Sequence, residues 1–286
     1  MYQMMSLPLY SGTLGEYNSW RDLGQELERL GCDGIEGVWG GEDLPKDLPA
    51  ELILGYHLIF YPDWLDFYRD DRAALKQKFG SLEVTASFYG GLGPDTLLEQ
   101  YRADLRRAVN LGARYVVFHV SDVSLEEGYT YRWLHTNQEV IDAAVEVVNL
   151  ILGEERWPFE FLVENQWWPG FTFTEPEETA RLLEGIRFAG KGILLDTGHL
   201  MNACTELKTE AEGADYIRRM LNRHGSLAKW VRGVHLHQSL SGAYVKAHTG
   251  SLPAGLPEDY MERFGVSYQH ILQIDQHRPW TDPAIL

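Results

Sequence analysis

The chain has 286 residues with 42 acidic against 25 basic side chains, a formal charge of −17 that repels polyanions and disfavours nucleic acid as a partner. Its two cysteines, Cys32 and Cys204, exclude a disulfide framework, and no uninterrupted apolar run reaches the ~18 residues a bilayer span needs. The stretch from Met1 to Tyr10 lacks the basic and apolar regions of a secretory leader, so a cytoplasmic protein is expected, and no Pro- or Ser-rich stretch or charge run divides residues 1–286, which read as one domain.

Apolar, β-rich runs alternate with amphipathic stretches along the chain, the pattern of repeated βα units around a parallel sheet. In chain order the predicted strands are Met4–Leu9, Gly34–Val38, Leu52–Ile59, Glu83–Phe88, Tyr115–Val120, Phe159–Glu164, Gly192–Asp196, Val231–Leu236 and Ile271–Asp275. The predicted helices are Asn18–Leu30, Pro94–Leu111, Asn137–Leu152, Pro176–Phe188 and Ala214–His224. Thr174 or Glu175 ahead of Pro176 reads as a helix start, and Gly31, Gly112 and Gly190 read as stops. Nine strands are one more than a TIM (β/α)8 barrel holds, and Glu83–Phe88 or Ile271–Asp275 is the excess.

Eight acids and histidines sit at or just beyond the ends of these runs: His57, His119, Glu164, Asp196, His199, His235, Asp275 and His277. Strand ends are where a barrel enzyme collects its ligands. Singly, His57 and His119 read more readily as core histidines bonded to a carbonyl than as ligands, and their weight is collective. Glu164 ends the run Phe159–Glu164 and is followed by Trp167 and Trp168, so its carboxylate is placed to bind a cation or take a substrate proton. In Asp196-Thr197-Gly198-His199 a Gly turns the chain so that the Asp and the His can converge. His235 and His237, two apart, point to one side of an extended segment; His235 is weighted as a ligand and His237 as a substrate contact. Asp275-Gln276-His277 adds a further pair ahead of Pro279.

Leu162-Val163-Glu164-Asn165, Leu195-Asp196-Thr197-Gly198-His199 and Val234-His235-Leu236 resemble the strand 5, 6 and 7 motifs of the xylose-isomerase-like TIM-barrel superfamily, which holds sugar isomerases and epimerases, inosose dehydratases and the AP endonuclease IV family. The resemblance runs from about Gly34 to Pro279. It implies that Glu164, Asp196 and His235 bind a divalent cation (Mn2+, Zn2+ or Co2+), with His199 beside them as a catalytic residue contacting substrate. The strand 8 Glu of the isomerases has no counterpart: either Asp275 replaces it or the chain stops short of strand 8 at Leu286, which implies a barrel with an incomplete or atypical eighth strand. Asp275 and His277 resemble the Asp-x-His loop pair of the superfamily and are secondary metal candidates. The histidines of the endonuclease branch, which uses three metals, also have counterparts in His57, His119 and His277.

The leading expectation is a metal-dependent isomerase or epimerase of a small sugar or polyol carbonyl compound, in which Glu164 doubles as the base that takes a proton next to the carbonyl. Glu36, Trp39, His57, His119, Trp167 and His237 are its expected substrate contacts, with Trp168 and Phe88 as further stacking faces. The alternatives are an endonuclease IV-like metal-dependent phosphodiesterase and a barrel that binds metal without catalysis. The endonuclease reading lacks an Arg- or Lys-rich loop for a DNA backbone, since Arg102, Arg106 and Arg107 fall on a predicted outer helix. Homo-oligomerisation is left open.

Overall fold

The computed structural model describes residues 1–43, 47–281 and 285. Seven parallel strands form one sheet in sequence order: β1 (Met4–Leu9), β2 (Gly34–Trp39), β3 (Ile53–His57), β4 (Tyr115–His119), β5 (Glu160–Glu164), β6 (Lys191–Asp196) and β7 (Val231–His235). Crossovers containing helices join the strands, as parallel pairing requires, except between β2 and β3, where the described helical element is the single turn Ala50–Leu52. Among the described residues no strand pairs β1 with β7, so the curled sheet is an incomplete barrel with two edges. The open side shows at β7, where Val234 is 51% exposed.

From β4 to β6 the strands alternate, because successive side chains leave opposite faces, while between β2 and β3 the register shifts at Ile35 and Glu36. Outward-facing Ile35, Val116, Phe118, Phe161, Val163, Ile193 and Leu195 join the main core beneath the helices. Inward-facing Val117, Leu162 and Leu194 form a separate small layer with Tyr115 inside the barrel. That inner row continues, two residues at a time, to His119, Glu164 and Asp196 at the strand ends.

Helix boundaries follow local chemistry. Trp20–Leu30 begins two residues later than predicted because Ser19 caps it, its hydroxyl accepting from Asp22 N at 3.2 Å, and it ends at Gly31 with φ 71°, a left-handed position that glycine alone fills without strain. Asn137–Leu152 matches its predicted span and opens with a capping box of Thr136 and Glu139. Glu210–His224 starts earlier than predicted because Thr209 and Glu212 make the same box. Pro94–Asn110 and Pro176–Gly185 both carry Pro in the first turn; the second stops at Gly185, short of the predicted Gly190.

Neither doubtful strand forms: the first is helical and the second is a helix end followed by a turn. Leu82–Tyr89 is a helix capped by Ser81 and closed by Gly90 at φ 77°, and its β-rich composition yields to a helical spacing that buries Thr85 and Tyr89. Ile271 and Leu272 are the last residues of the helix Tyr260–Leu272, and Ile274–Asp275 follow in a turn. Two predicted strands, not one, are therefore in excess. The long excursion after β7 carries this helix over to the β3 and β4 side, where Tyr129 stacks on His270 with ring centroids 4.4 Å apart. Among the described residues no helix is long and apolar enough to cross a membrane.

Candidate metal centre

The last inward-facing residues of β3, β4, β5, β6 and β7 are His57, His119, Glu164, Asp196 and His235. The staggered register of the barrel brings them to one level: His119 pairs with Glu164 across β4 and β5, and Asp196 with His235 across β6 and β7. Glu164 sits at the centre, 1% exposed. Its Oε2 lies 2.8 Å from His119 Nε2 and 3.2 Å from His57 Nε2, and its Oε1 3.1 Å from His235 Nδ1 and 3.3 Å from His199 Nδ1. Asp196 is the second hub. Its Oδ2 lies 2.8 Å from His237 Nε2 and 3.5 Å from His235 Nδ1, while its Oδ1 caps the following short helix by accepting from His199 N at 2.7 Å.

Three groups of side chains each converge closely enough to hold an ion: His57, His119 and Glu164; Glu164, Asp196 and His235; and Asp196, His199, His237 and His277. Glu164 belongs to the first two and Asp196 to the last two. Asp275 joins the edge of the third, 3.5 Å from His199 Nε2 and 3.1 Å from His277 Nδ1. Imidazole nitrogens and carboxylate oxygens are the donor set that zinc-like divalent cations take. The nitrogens of His57 and His119 face each other at 3.0 Å, a contact that a proton or a cation must relieve, and His119 Nδ1 is buried with no hydrogen-bond partner. The residues present therefore fit divalent metal.

Electrostatics agree with that fit. Burial would push the Glu164 carboxyl up, but the imidazoles of His119 and His235 outweigh it and hold it well below the usual carboxylate range. The same opposition, with His199 and His235 on the other side, lowers Asp196. Burial acts to lower His199 and His235, yet Asp196 raises the first and Glu36 and Glu164 raise the second well above the ordinary imidazole range. At His119 burial wins and the ring is lowered. Metal binding at such a site displaces imidazole protons.

Neighbours orient the candidate ligands. Glu36, expected to touch a substrate hydroxyl, is instead buried inside the barrel, accepting from Tyr115 Oη at 2.7 Å and lying 2.9 Å from His235 Nε2. It sets the His235 ring, as carboxylates behind metal-ligating histidines do. Asn165 clamps the backbone of Asp196 from both sides, donating to its carbonyl at 3.0 Å and accepting from its N–H at 2.8 Å. Gln166 Nε2 lies 2.9 Å from His199 Nδ1. Thr197 pins the chain at His237, and Gly198 admits that ring: a Cβ there would lie 2.2 Å from His237 Cε1. His237, expected to contact substrate, thus turns to Asp196 and joins the third group, stacked on His277 at 4.0 Å. Its parity with His235 was the available signal; Asn165 and Gln166 offered none.

Of the expected aromatic faces, Trp167 is at the site, 5.1 Å from the His199 ring and 4.2 Å from Trp168. The Trp168 indole N–H is buried without an acceptor, and Trp167 interacts with the Tyr131 hydroxyl. Phe60, not anticipated, packs 4.3 Å from His119. Trp39 and Phe88 are elsewhere: they line a cavity of about 390 Å³ on the outer side with Asp104 and Arg107, whose guanidinium lies 3.6 Å above the Trp39 ring.

Fold and site together define a parallel barrel with a candidate divalent-metal centre at its strand ends. The chain belongs to the xylose isomerase-like TIM barrel family, whose model matches residues 25–282. No curated protein sequence matches it. Similar solved structures include a D-tagatose 3-epimerase-like protein, 14% identical over 95% of this chain and 89% of that one, with a TM-score of 0.41. Endonuclease IV from Thermus thermophilus is 16% identical over 95% and 99%, with a TM-score of 0.41. The IolI protein, whose structure holds a zinc atom, is 14% identical over 99% and 100%, with a TM-score of 0.43.

Proposed function

We propose that the protein is a divalent-metal-dependent enzyme that holds more than one cation and hydrolyses a phosphate ester of a small polyhydroxylated compound. The observation that carries this reading is the sharing of Glu164 and Asp196 among three adjacent ligand groups. Shared carboxylates suit neighbouring cations, whereas a single-metal site leaves His57, His119 and His277 without a task. His57, His119 and Glu164 would hold one cation, Glu164, Asp196 and His235 a second, and Asp196, His199, His237 and His277 a third, with Asp275 at its edge. Cations bound there would supply charge to stabilise the attacking and leaving oxygens of an in-line displacement. The chain itself positions the ester: Trp167, packed on Trp168, walls the site beside His199. Trp167 and Phe60 cover the rings of His199 and His119 and keep bulk water from them. A small ester is favoured over DNA by the charge of −17 and by the basic residues of Pro94–Asn110. There Arg107 is held by Asp104, and Arg102 donates to Leu150 O at 3.0 Å.

The second reading is the isomerase or epimerase. It is favoured by one observation: Glu164, Asp196 and His235 form a complete three-residue group by themselves, with Glu164 held ionised and able to take a proton beside a carbonyl. Two assays on the metal-loaded protein separate the readings. Hydrolysis of bis(p-nitrophenyl) phosphate and of sugar phosphates, lost in His119→Ala, supports the hydrolase. Deuterium entering beside the carbonyl of a ketose or inosose in D2O, lost in Glu164→Gln but kept in His119→Ala, overturns it in favour of the isomerase. Absence of both activities in a metal-replete protein supports a barrel that binds metal without catalysis.

A further inference from the structure

A cavity of about 700 Å³ lies between the loops that follow β3 and β4 and the helix Tyr260–Leu272, and it shares no lining residue with the metal ligands. Its floor is charged. Lys78 Nζ donates to Asp63 Oδ1 and to Asp66 Oδ2, both at 2.7 Å, and the lysine side chain is only 8% exposed. His135 Nε2 lies 3.2 Å from Asp66 Oδ1 and 3.8 Å from Asp122 Oδ2. Three buried carboxylates, Asp63, Asp66 and Asp122, therefore face one ammonium and one imidazole.

Asp63 is the group left short. It is 3% exposed, lines the cavity, and among the described residues its side chain accepts only from Lys78, through Oδ1. Burial pushes its carboxyl up to about 7; Lys78 pulls against that rise, and the charges of Asp122 and Glu127 add to it. A buried carboxylate with too little positive charge beside it retains its proton or gains a cation. The outer part of the cavity has the opposite character. Arg132 and Arg263 line it, the first exposed and the second half-buried over the Tyr260 ring, and among the described residues no carboxylate pairs with either; Glu126 shares this rim. Between floor and rim the walls are apolar, from Leu134, Leu256 and Tyr129. The volume is that of an ordinary small-molecule site.

We propose that this cavity binds a small zwitterion of the amino-acid or dipeptide class, its ammonium directed to Asp63 on the floor, its carboxylate to Arg132 and Arg263, and its apolar body against Leu134, Leu256 and Tyr129. The site is independent of the metal centre and of the reaction proposed for it. The ammonium supplies the counter-charge that Asp63 lacks, and a carboxylate suits guanidinium geometry. The apolar walls favour a leucine- or phenylalanine-like body over a polar one.

The test is calorimetric titration of the full metal-loaded chain with leucyl-phenylalanine and with its N-acetyl and C-amide forms, each of which removes one charge. The zwitterion is expected to bind, each blocked form at least ~10-fold more weakly, a difference of about 1.4 kcal/mol. Asp63→Asn is expected to weaken the zwitterion ~10-fold and to leave the metal content unchanged. The double variant Arg132→Gln with Arg263→Gln, which alters only the rim, is expected to do the same and carries the test if the buried substitution unfolds the chain. No heat from the zwitterion up to ~10 mM, blocked forms that bind as well as or better than it, or a rim variant with unchanged affinity overturns the proposal.

Discussion

Two polar clusters buried among the described residues are neutralised by different means. Around Glu164 and Asp196 every nearby cation is an imidazole, a group that can carry a proton or give its lone pair to a metal. Around Asp63 and Asp66 the central cation is Lys78, whose ammonium has donors only. The first cluster has the donor set of a candidate metal site; the second is held by an ammonium that has no lone pair to give a metal, with one carboxylate under-compensated. Burial alone does not distinguish a metal centre from a salt bridge. The identity of the cation beside the carboxylates does.

The largest expected effect is Glu164→Gln. Removing the hub of two ligand groups should lower metal affinity by more than the ~10–100-fold that loss of a ligand's partner costs, and activity with it; metal content after dialysis reads this directly. Lys78→Met comes next. It leaves Asp63 and Asp66 buried without their ammonium, so stability should fall by ~3–5 kcal/mol in chemical denaturation while metal content stays as in the parent. If instead the lysine variant loses metal, the two clusters are not separate.

A pH titration sharpens the contrast. Asp63 is held at about 7 in the fold against ~3.9 in an unfolded chain, so the folded state binds a proton that the unfolded state has released. Its contribution to stability is fully present below the unfolded value and is lost as pH rises through about 7. Asp66 has the opposite sign: burial is outweighed by His135 and Lys78, which hold it at about 2, so its contribution is present above ~3.9 and lost as pH falls through about 2. Denaturation curves of Asp63→Asn should lack the decline toward neutral pH that the parent shows. The smallest effect is expected for Tyr115→Phe, which removes one hydrogen bond behind Glu36 and His235. Metal affinity should fall by less than in Glu36→Gln, itself expected at ~10–100-fold.

The convergence of His57, His119, Glu164, Asp196 and His235 is legible because it obeys period 2, each ending an apolar run on the inward parity, although by sequence only the last three read as metal ligands and His57 and His119 read as substrate contacts. The Asp63–Lys78 cluster is not, since its members come from a loop and a helix 15 residues apart, and nothing in local pattern says they meet. By sequence Glu36 reads as a substrate contact, since its partner His235 is 199 residues away and approaches only when the sheet curls. The two false strands failed for a local reason: β-rich composition at Glu83–Phe88 and Ile271–Asp275 was outweighed by the Ser81 cap in one case and the register of a long preceding helix in the other.

The central claim is that Glu164 and Asp196 are shared between adjacent cations, and metal stoichiometry tests it most directly. Elemental analysis of the purified full chain, reconstituted with Zn2+ or Mn2+ and gel-filtered, should give about three ions per chain, with His119→Ala and His277→Ala each losing about one while remaining folded. A parent chain that holds one ion, unchanged in both variants, would contradict the shared-carboxylate account and leave Glu164, Asp196 and His235 as a single-metal site.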